Sequence, residues 1–379
     1  MRKKFLTLFF VIFTLIIVLT FFTACNKGGS DYDRDGDTVT MGMYPQTRVT
    51  DEKLIAALSK SAGELPVKGD GKKWTSYGYL TYWWDKEASE LKEEPSDDMF
   101  YIDIEYGGAK YRGVHVVEYR PSFVASKWDS EYDSVEEAIA YNKRIFDCEM
   151  GKTYWFKWEP LKWTVAEEKN GEALLVCERV IDGQMFREDA ASRVDIEIDE
   201  AMYSWNYSIS SIRTWLNDTF LKTAFDETQI ANIVVSNVDN GLESYKFSGV
   251  IQDDVKCDEE YIKKVEKYLH MLFTDTQDKV FLLSLSEASG LKESVLKKTN
   301  TDYARIQGAK EVDIIQGAKA VDMQYSEDRE NCCSWFLRSA SLYDDYGVNI
   351  VYDGTTISSG CDAAVEMLCG IVPAIRVKL

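Results

Sequence analysis

Four groups of residues in the 379-residue chain have types and spacing that could do chemistry. Asp31, Asp33, Asp35 and Gly36 open the D-x-D-x-D-G pattern, in which alternate carboxylates wrap a hard cation. Such a loop closes with a bidentate Glu at its twelfth position, where Gly42 stands, so an acidic linker is expected and no metal. Gly151-Lys152-Thr153 ends like a phosphate loop, but Phe146 replaces the first glycine and the backbone cannot curl round a phosphate. Beyond Cys25, the thiols are Cys148, Cys177, Cys257, Cys332, Cys333, Cys361 and Cys369. Their number is odd, so at least one is unpaired or shared between chains. Cys332 or Cys333 could bridge to Cys361 or Cys369 in an oxidising compartment, or these could be buried apolar thiols. No C-x-x-C occurs, and only His115 and His270 could add nitrogen ligands, which disfavours zinc. There is no G-x-S-x-G elbow, the histidines are far apart, and no two acids stand out as a pair. The expectation is no cofactor and no enzyme signature.

The N-terminal residues have the layout of an export signal. Arg2, Lys3 and Lys4 precede an apolar run from Phe5 to Phe22, and the small residues Thr23 and Ala24 lead to Cys25. This resembles the bacterial lipoprotein class, in which the cysteine after the cut is acylated and becomes the new N-terminus. Phe22 departs from the usual aliphatic residue three before the cysteine, and the alternative is a retained apolar anchor. The expected organisation is a signal peptide over 1–24, a flexible acidic tether over 25–37, and a folded body over 38–379. The expected location is the outer face of a cell membrane, with the lipid on Cys25 as the membrane partner.

Cleavage removes three cations and no acid, moving the formal charge from −20 to −23. That excludes nucleic acid as a partner, because the phosphate backbone would be repelled. The 10 Trp, 22 Tyr and 17 Phe suit either a recognition surface or a ring-packed β core.

Candidate chemistry needs elements to hold it. Thr38 to Gln46 reads as a strand, and Asp51 to Lys60 as a short helix with acids in its first turn. Met99–Tyr106 and Lys110–Tyr119 flank Gly107-Gly108 as a hairpin, and Asn170-Gly171 marks another between Leu161–Glu167 and Glu172–Val180. Ser210 or Ser211 caps a helix to about Phe225, with Ile212, Trp215, Leu216, Thr219 and Phe220 on one face. A second helix is expected over Asp258–Phe273. Late strands are Lys279–Leu285, Trp335–Ser339, Val348–Tyr352, Thr355–Ile357 and Ala374–Lys378. Ile306–Asp313 and Ile315–Asp322 repeat one motif, too briefly for a solenoid.

Several short pieces resemble, in order, a bacterial family of unknown function. They are Tyr44-Pro45-Gln46, Leu161-Lys162-Trp163-Thr164-Val165, Ser211-Ile212-Arg213-Thr214-Trp215-Leu216-Asn217, Asp278 to Ser284, Thr301-Asp302-Tyr303-Ala304, Trp335-Phe336-Leu337-Arg338-Ser339 and Val372 to Leu379. The resemblance implies an α+β, C-type-lectin-like fold of short antiparallel strands with two main helices and a β-rich insertion at about 47–153. It also implies a binding face between the W-F-L-R-S strand and the last strand, where Tyr343, Asp344, Asp345, Tyr346, Asn349, Tyr352 and Asp353 could stack on and hydrogen-bond a ligand. Arg338 reads as a structural anchor. The functional expectation is a surface-tethered, non-catalytic module that binds an extracellular glycan or protein. The alternatives are an enzyme of the formylglycine-generating type using Cys361 or Cys369 on exported proteins, and a structural envelope protein.

Overall fold

A computed structural model describes residues 32–85, 87–88, 90–120, 148–188, 206–241, 274–309, 332–340, 347–352, 362–364 and 368–379, all within one compact unit, Tyr32–Leu379. Strands dominate. The first nine are β1 (Asp33–Asp35), β2 (Thr38–Arg48), β3 (Thr75–Ser76), β4 (Leu80–Asp85), β5 (Glu90–Pro95), β6 (Met99–Tyr106), β7 (Ala109–Val116), β8 (Lys152–Lys169) and β9 (Glu172–Cys177). After them come β10 (Asp182–Met185), β11 (Ser236–Val238), β12 (Thr276–Asp278), β13 (Val280–Phe281), β14 (Trp335–Ala340), β15 (Gly347–Val351), β16 (Asp362–Ala364), β17 (Leu368–Ile371) and β18 (Ala374–Lys378).

The expected α+β lectin-like fold with two main helices is not what forms. The molecule is mostly β, with a nine-stranded sheet ordered β13-β18-β9-β8-β7-β6-β3, in which β2 joins β8 and β1 joins β2, and a five-stranded sheet ordered β10-β17-β14-β15-β16. The physical reason lies in β8. The sequence suggests separate strands at Tyr154–Trp158 and Leu161–Glu167, but one 18-residue strand runs through both and through Pro160. Pro160 faces Met43, next to a register shift in β2, and a bulge tolerates a residue without an N–H. One half of β8 pairs with β7 and the other with β9. The 47–153 segment therefore extends the same sheet instead of decorating a helical layer.

Local signals in that segment act as read. Gly107 and Gly108 both have positive φ, at 59° and 78°, and close the β6–β7 hairpin. Asn170 and Gly171 do the same between β8 and β9. Helix α1 (Glu52–Ala62) starts at Asp51, whose carboxylate accepts from the Lys53 and Leu54 N–H groups. It covers the outer face of β6–β7–β8, where Leu58, Ala62, Trp74, Phe100, Tyr111 and Trp155 form a satellite core.

The remaining helices are short. Ser210 caps α2 (Ser211–Trp215), which continues through a π turn (Leu216–Phe220) into α3 (Leu221–Ala224), as the 210–225 periodicity predicts. After α4 (Glu227–Asn232) come α5 (Leu285–Ser289), α6 (Glu293–Leu296) and α7 (Asp302–Ile306). The second expected long helix, Asp258–Phe273, the repeated motif and Thr355–Ile357 lie outside the described residues. The stretch read as a strand from Lys279 yields only β13, because Ser284 starts α5 with a capping box to Glu287.

Two crossings join the sheets. The chain passes from β9 to β10 and from β17 to β18, and both pairs stay hydrogen-bonded, with Cys177 N–H to Pro373 O at 3.0 Å and Ile181 N–H to Ile371 O at 3.0 Å. One continuous core lies between the sheets, and Trp163, Leu175, Phe186, Trp335, Phe336 and Ile375 are among its buried members.

Candidate functional site

Several motif residues meet at a buried network where the 47–153 segment adjoins the rest of the body. Val114 and Val116 face the main core on alternate positions of β7, and the same phase turns Arg112 inward. Arg112 grips Asp103 through two 2.8 Å hydrogen bonds and reaches the Tyr303 hydroxyl at 3.4 Å. Thr301 caps α7, aiming Tyr303 into the network, where its hydroxyl lies 2.9 Å from that of Tyr77. Tyr44 packs edge-on against both Tyr303 and Phe220 and donates to Asp182 at 2.7 Å.

Rings and cations alternate through this junction. Lys110 Nζ lies 3.5 Å from the Trp158 ring centre, and the Arg112 guanidinium sits 5.0 Å from Trp158 and 4.4 Å from Tyr101. Tyr101 meets Tyr77 at 4.9 Å, Tyr77 stacks on Tyr79 at 5.3 Å, and Arg120 lies 3.7 Å over Tyr79. Arg120 is fully buried and donates to the carbonyls of Gly183 and Gln307, with Glu188 at 3.3 Å as its counter-ion. Tyr79 donates to the Gln307 side chain. The Lys110 end is wetter, since its side chain is 38% exposed and that of Asp103 27%.

Within this network, Asp182 is placed to exchange a proton near neutrality. Burial pushes its carboxyl up to about 6, although Tyr44, the Gly183 N–H, Arg120 and Gln184 all favour the charged form. Its hydrogen bonds come from Tyr44 at 2.7 Å, Gly183 N–H at 2.8 Å and Gln184 at 3.0 Å. Burial also raises the Tyr44, Tyr77, Tyr79 and Tyr303 phenols, so they stay protonated donors. Sequence reading missed Asp182, Arg112 and Arg120. The available signal was a charged residue on the inward phase of an apolar strand pattern, as in Tyr111 to Val116.

Other motif residues serve as anchors. Arg338 pairs with Glu287 and donates to the carbonyls of Leu282, at 2.7 Å, and Asp239, at 3.0 Å. Arg213 binds the buried Asp278 at 2.8 Å. Asn217, in the π turn, donates to the Arg213 and Val280 carbonyls and accepts from the Lys279 and Val280 N–H groups. Its amide thus takes over backbone bonding that the π turn disrupts, tying that helix to β13.

Of the residues expected to bind ligand, the structure describes Asn349 and Tyr352. Tyr343, Asp344, Asp345, Tyr346 and Asp353 lie outside the described residues, as do Cys25 and Cys361. Asn349 is 1% exposed and donates to Ser339 O at 3.1 Å. Tyr352 is half-buried and packs on the core. Cys333 and Cys369 are buried, and both thiols approach the Ser334 carbonyl, at 3.1 and 3.3 Å. Trp335 pairs with Gly370, so strand alternation puts Cys333 and Cys369 on opposite faces, gripping that oxygen from two sides. In the acidic N-terminal motif, Asp33 and Asp35 belong to strand β1, and Gly36 makes its turn into β2. Gly151 and Lys152 likewise enter β8 through a turn, and Thr153 bonds to His115 at 2.8 Å. Among the described residues there is no cluster of three or more metal-ligating side chains, and no helix is long and apolar enough to cross a membrane.

No curated protein and no solved structure matches the chain. A family model described as "Domain of unknown function (DUF6273)" matches residues 170–379, a span that opens at the β8–β9 turn, runs through both sheets to the last residue and covers more than half of the chain. The chain therefore belongs to the DUF6273 family.

Proposed function

We propose that this chain is a lipoprotein tethered through Cys25 to the outer face of a membrane, and that its body is a non-catalytic module binding an extracellular glycan or protein. The leader pattern before Cys25 supports the tether. The observation that carries the binding role is the half-exposed end of the ring-and-cation ladder, where Tyr101, Asp103 and Lys110 present a ring, a carboxylate and an amine on one sheet face. Such a set can stack on a sugar or an aromatic side chain while exchanging charged hydrogen bonds. The motif arginines are consumed in holding the frame, so recognition falls to the partly exposed edge and to connecting segments on a rigid scaffold.

Screening the soluble body, beginning at Tyr32, against glycan and surface-protein arrays should give a saturable ligand. The double substitution Tyr101→Ala with Lys110→Ala should weaken it at least about tenfold. Tyr343→Ala and Tyr346→Ala test the segment before β15 in the same assay. Unchanged affinity in the double variant removes the ladder edge. In cells, a fatty-acid analogue should label the wild type and not Cys25→Ser; equal labelling refutes the tether.

A further inference from the structure

The folded body starts a short way along the chain from Cys25. Tyr32 is its first residue, and only seven residue steps separate the two. A chain spans at most about 3.6 Å per step, so this link reaches roughly 25 Å even when fully stretched. The body, Tyr32–Leu379, is compact, and a domain of that length is about 50 Å across. A link half as long as the body is wide cannot bring every face to one surface.

The point where that link leaves the body is pinned. Asp33–Asp35 is strand β1, paired with β2. The half-buried Tyr32 packs on the core, and its hydroxyl donates to Lys378 O at 3.0 Å. Arg34 pairs with Glu168, near the end of β8. Leu379 N–H donates to Gly171 O at 2.9 Å, which brings the β8–β9 turn to the same place. The exit therefore sits at one tip of β8. The ladder edge is elsewhere on that strand. Trp158, under Lys110, comes ten residues before Glu168, roughly 33 Å along the strand. Met150, 43% exposed, stands beyond the other tip. Charge favours keeping that tip away from a membrane. The chain is strongly acidic, −20 before any cleavage, and anionic headgroups repel such a body. Repulsion acts on the whole body while the link restrains one tip, so the free tip swings outward.

Building on the Cys25 tether proposed above, we infer that the surface around Tyr32, Lys169 and Lys378 faces lipid headgroups, and that β8 holds the ladder edge away from them. The edge then meets ligands arriving from outside, not the headgroups of its own membrane.

The test uses the full lipidated chain in vesicles of phosphatidylcholine and phosphatidylglycerol that contain a rhodamine-labelled lipid. A donor dye is attached through p-azidophenylalanine in place of Lys169 or of Met150, both exposed. Energy transfer to the labelled lipid should be at least about twofold stronger from position 169, given the length of β8 between the two sites. Inserting about twenty Gly and Ser residues after Ser30 should abolish at least half of that difference, because a long flexible link lets the body turn over. Equal transfer from both positions in a chain that carries the lipid would overturn the inference and leave the tether standing. A difference untouched by the insertion would also overturn it. A chain whose Cys25 takes up no fatty-acid analogue would remove the tether, and this orientation with it.

Discussion

Replacing Gly183 with alanine should destabilise the fold by about 3 kcal/mol or more, beyond the usual cost of one extra methyl. A Cβ at Gly183 would stand 2.3 Å from Ala309 N, 2.7 Å from Gln307 O and 2.7 Å from Gly308 C. All three are backbone atoms, which cannot rotate away as a side-chain end can. The segment after α7 would have to lift from β10, taking with it the Gln307 carbonyl that Arg120 uses and the Gln307 side chain that Tyr79 uses. Gly290→Ala is the control. Its nearest foreign atom is 3.5 Å away and its φ is −80°, so it should stay within about 0.5 kcal/mol of wild type or gain slightly. Urea unfolding of both variants decides the matter, and equal midpoints would refute the close crossing of β10 and the 307–309 segment.

Asp182→Asn should remove a pH dependence instead of simply weakening the protein. In the fold burial pushes the carboxyl up to about 6, from an ordinary value of 3.8. The group therefore favours folding when protonated. That contribution is fully present below the unfolded value and is lost as pH rises through about 6. The difference amounts to about 3 kcal/mol. Asparagine can keep the geometry, with its carbonyl accepting from Gly183 and Gln184 and its NH₂ donating to the Tyr44 hydroxyl. The variant should match wild type near pH 4 and exceed it above pH 6.5. Burial lowers His115, so the fold loses stability as pH falls through the histidine range. Both proteins share that loss, and it cancels in the difference. Parallel stability curves from pH 4.5 to 7.5 would rule out Asp182 as a buried proton carrier.

Turns and caps were the most legible features. Gly107-Gly108, Asn170-Gly171, Asp51 and Ser210 each act through a contact a few residues away, so local sequence suffices to place them. The strands around Pro160 were misread because their continuity depends on β2, more than a hundred residues upstream, supplying the bulge that accommodates proline. Arg338 was read as an anchor, and its bonds to Glu287, Leu282 and Asp239 make it one. Asn349 was read as a ligand contact from its place between the W-F-L-R-S strand and the last strand, yet β15 is buried on both faces there and the Asn349 amide donates to Ser339 O. The ladder through Arg112, Tyr101, Tyr77 and Tyr79 was illegible as a unit. Its members are spaced irregularly along the chain, and the pairing of β3 with β6 and of β6 with β7 brings them together.

The span that the family model matches is shorter than the unit that folds. It opens at residue 170, yet β9 has β18 on one side and β8 on the other, so cutting there strips a neighbour from a central strand. The excised piece would carry a raw, hydrogen-bond-hungry margin with Leu174, Leu175 and Val176 beside it, a template for sticking to its own copies. Recombinant work on this family needs the upstream half as a built-in splint.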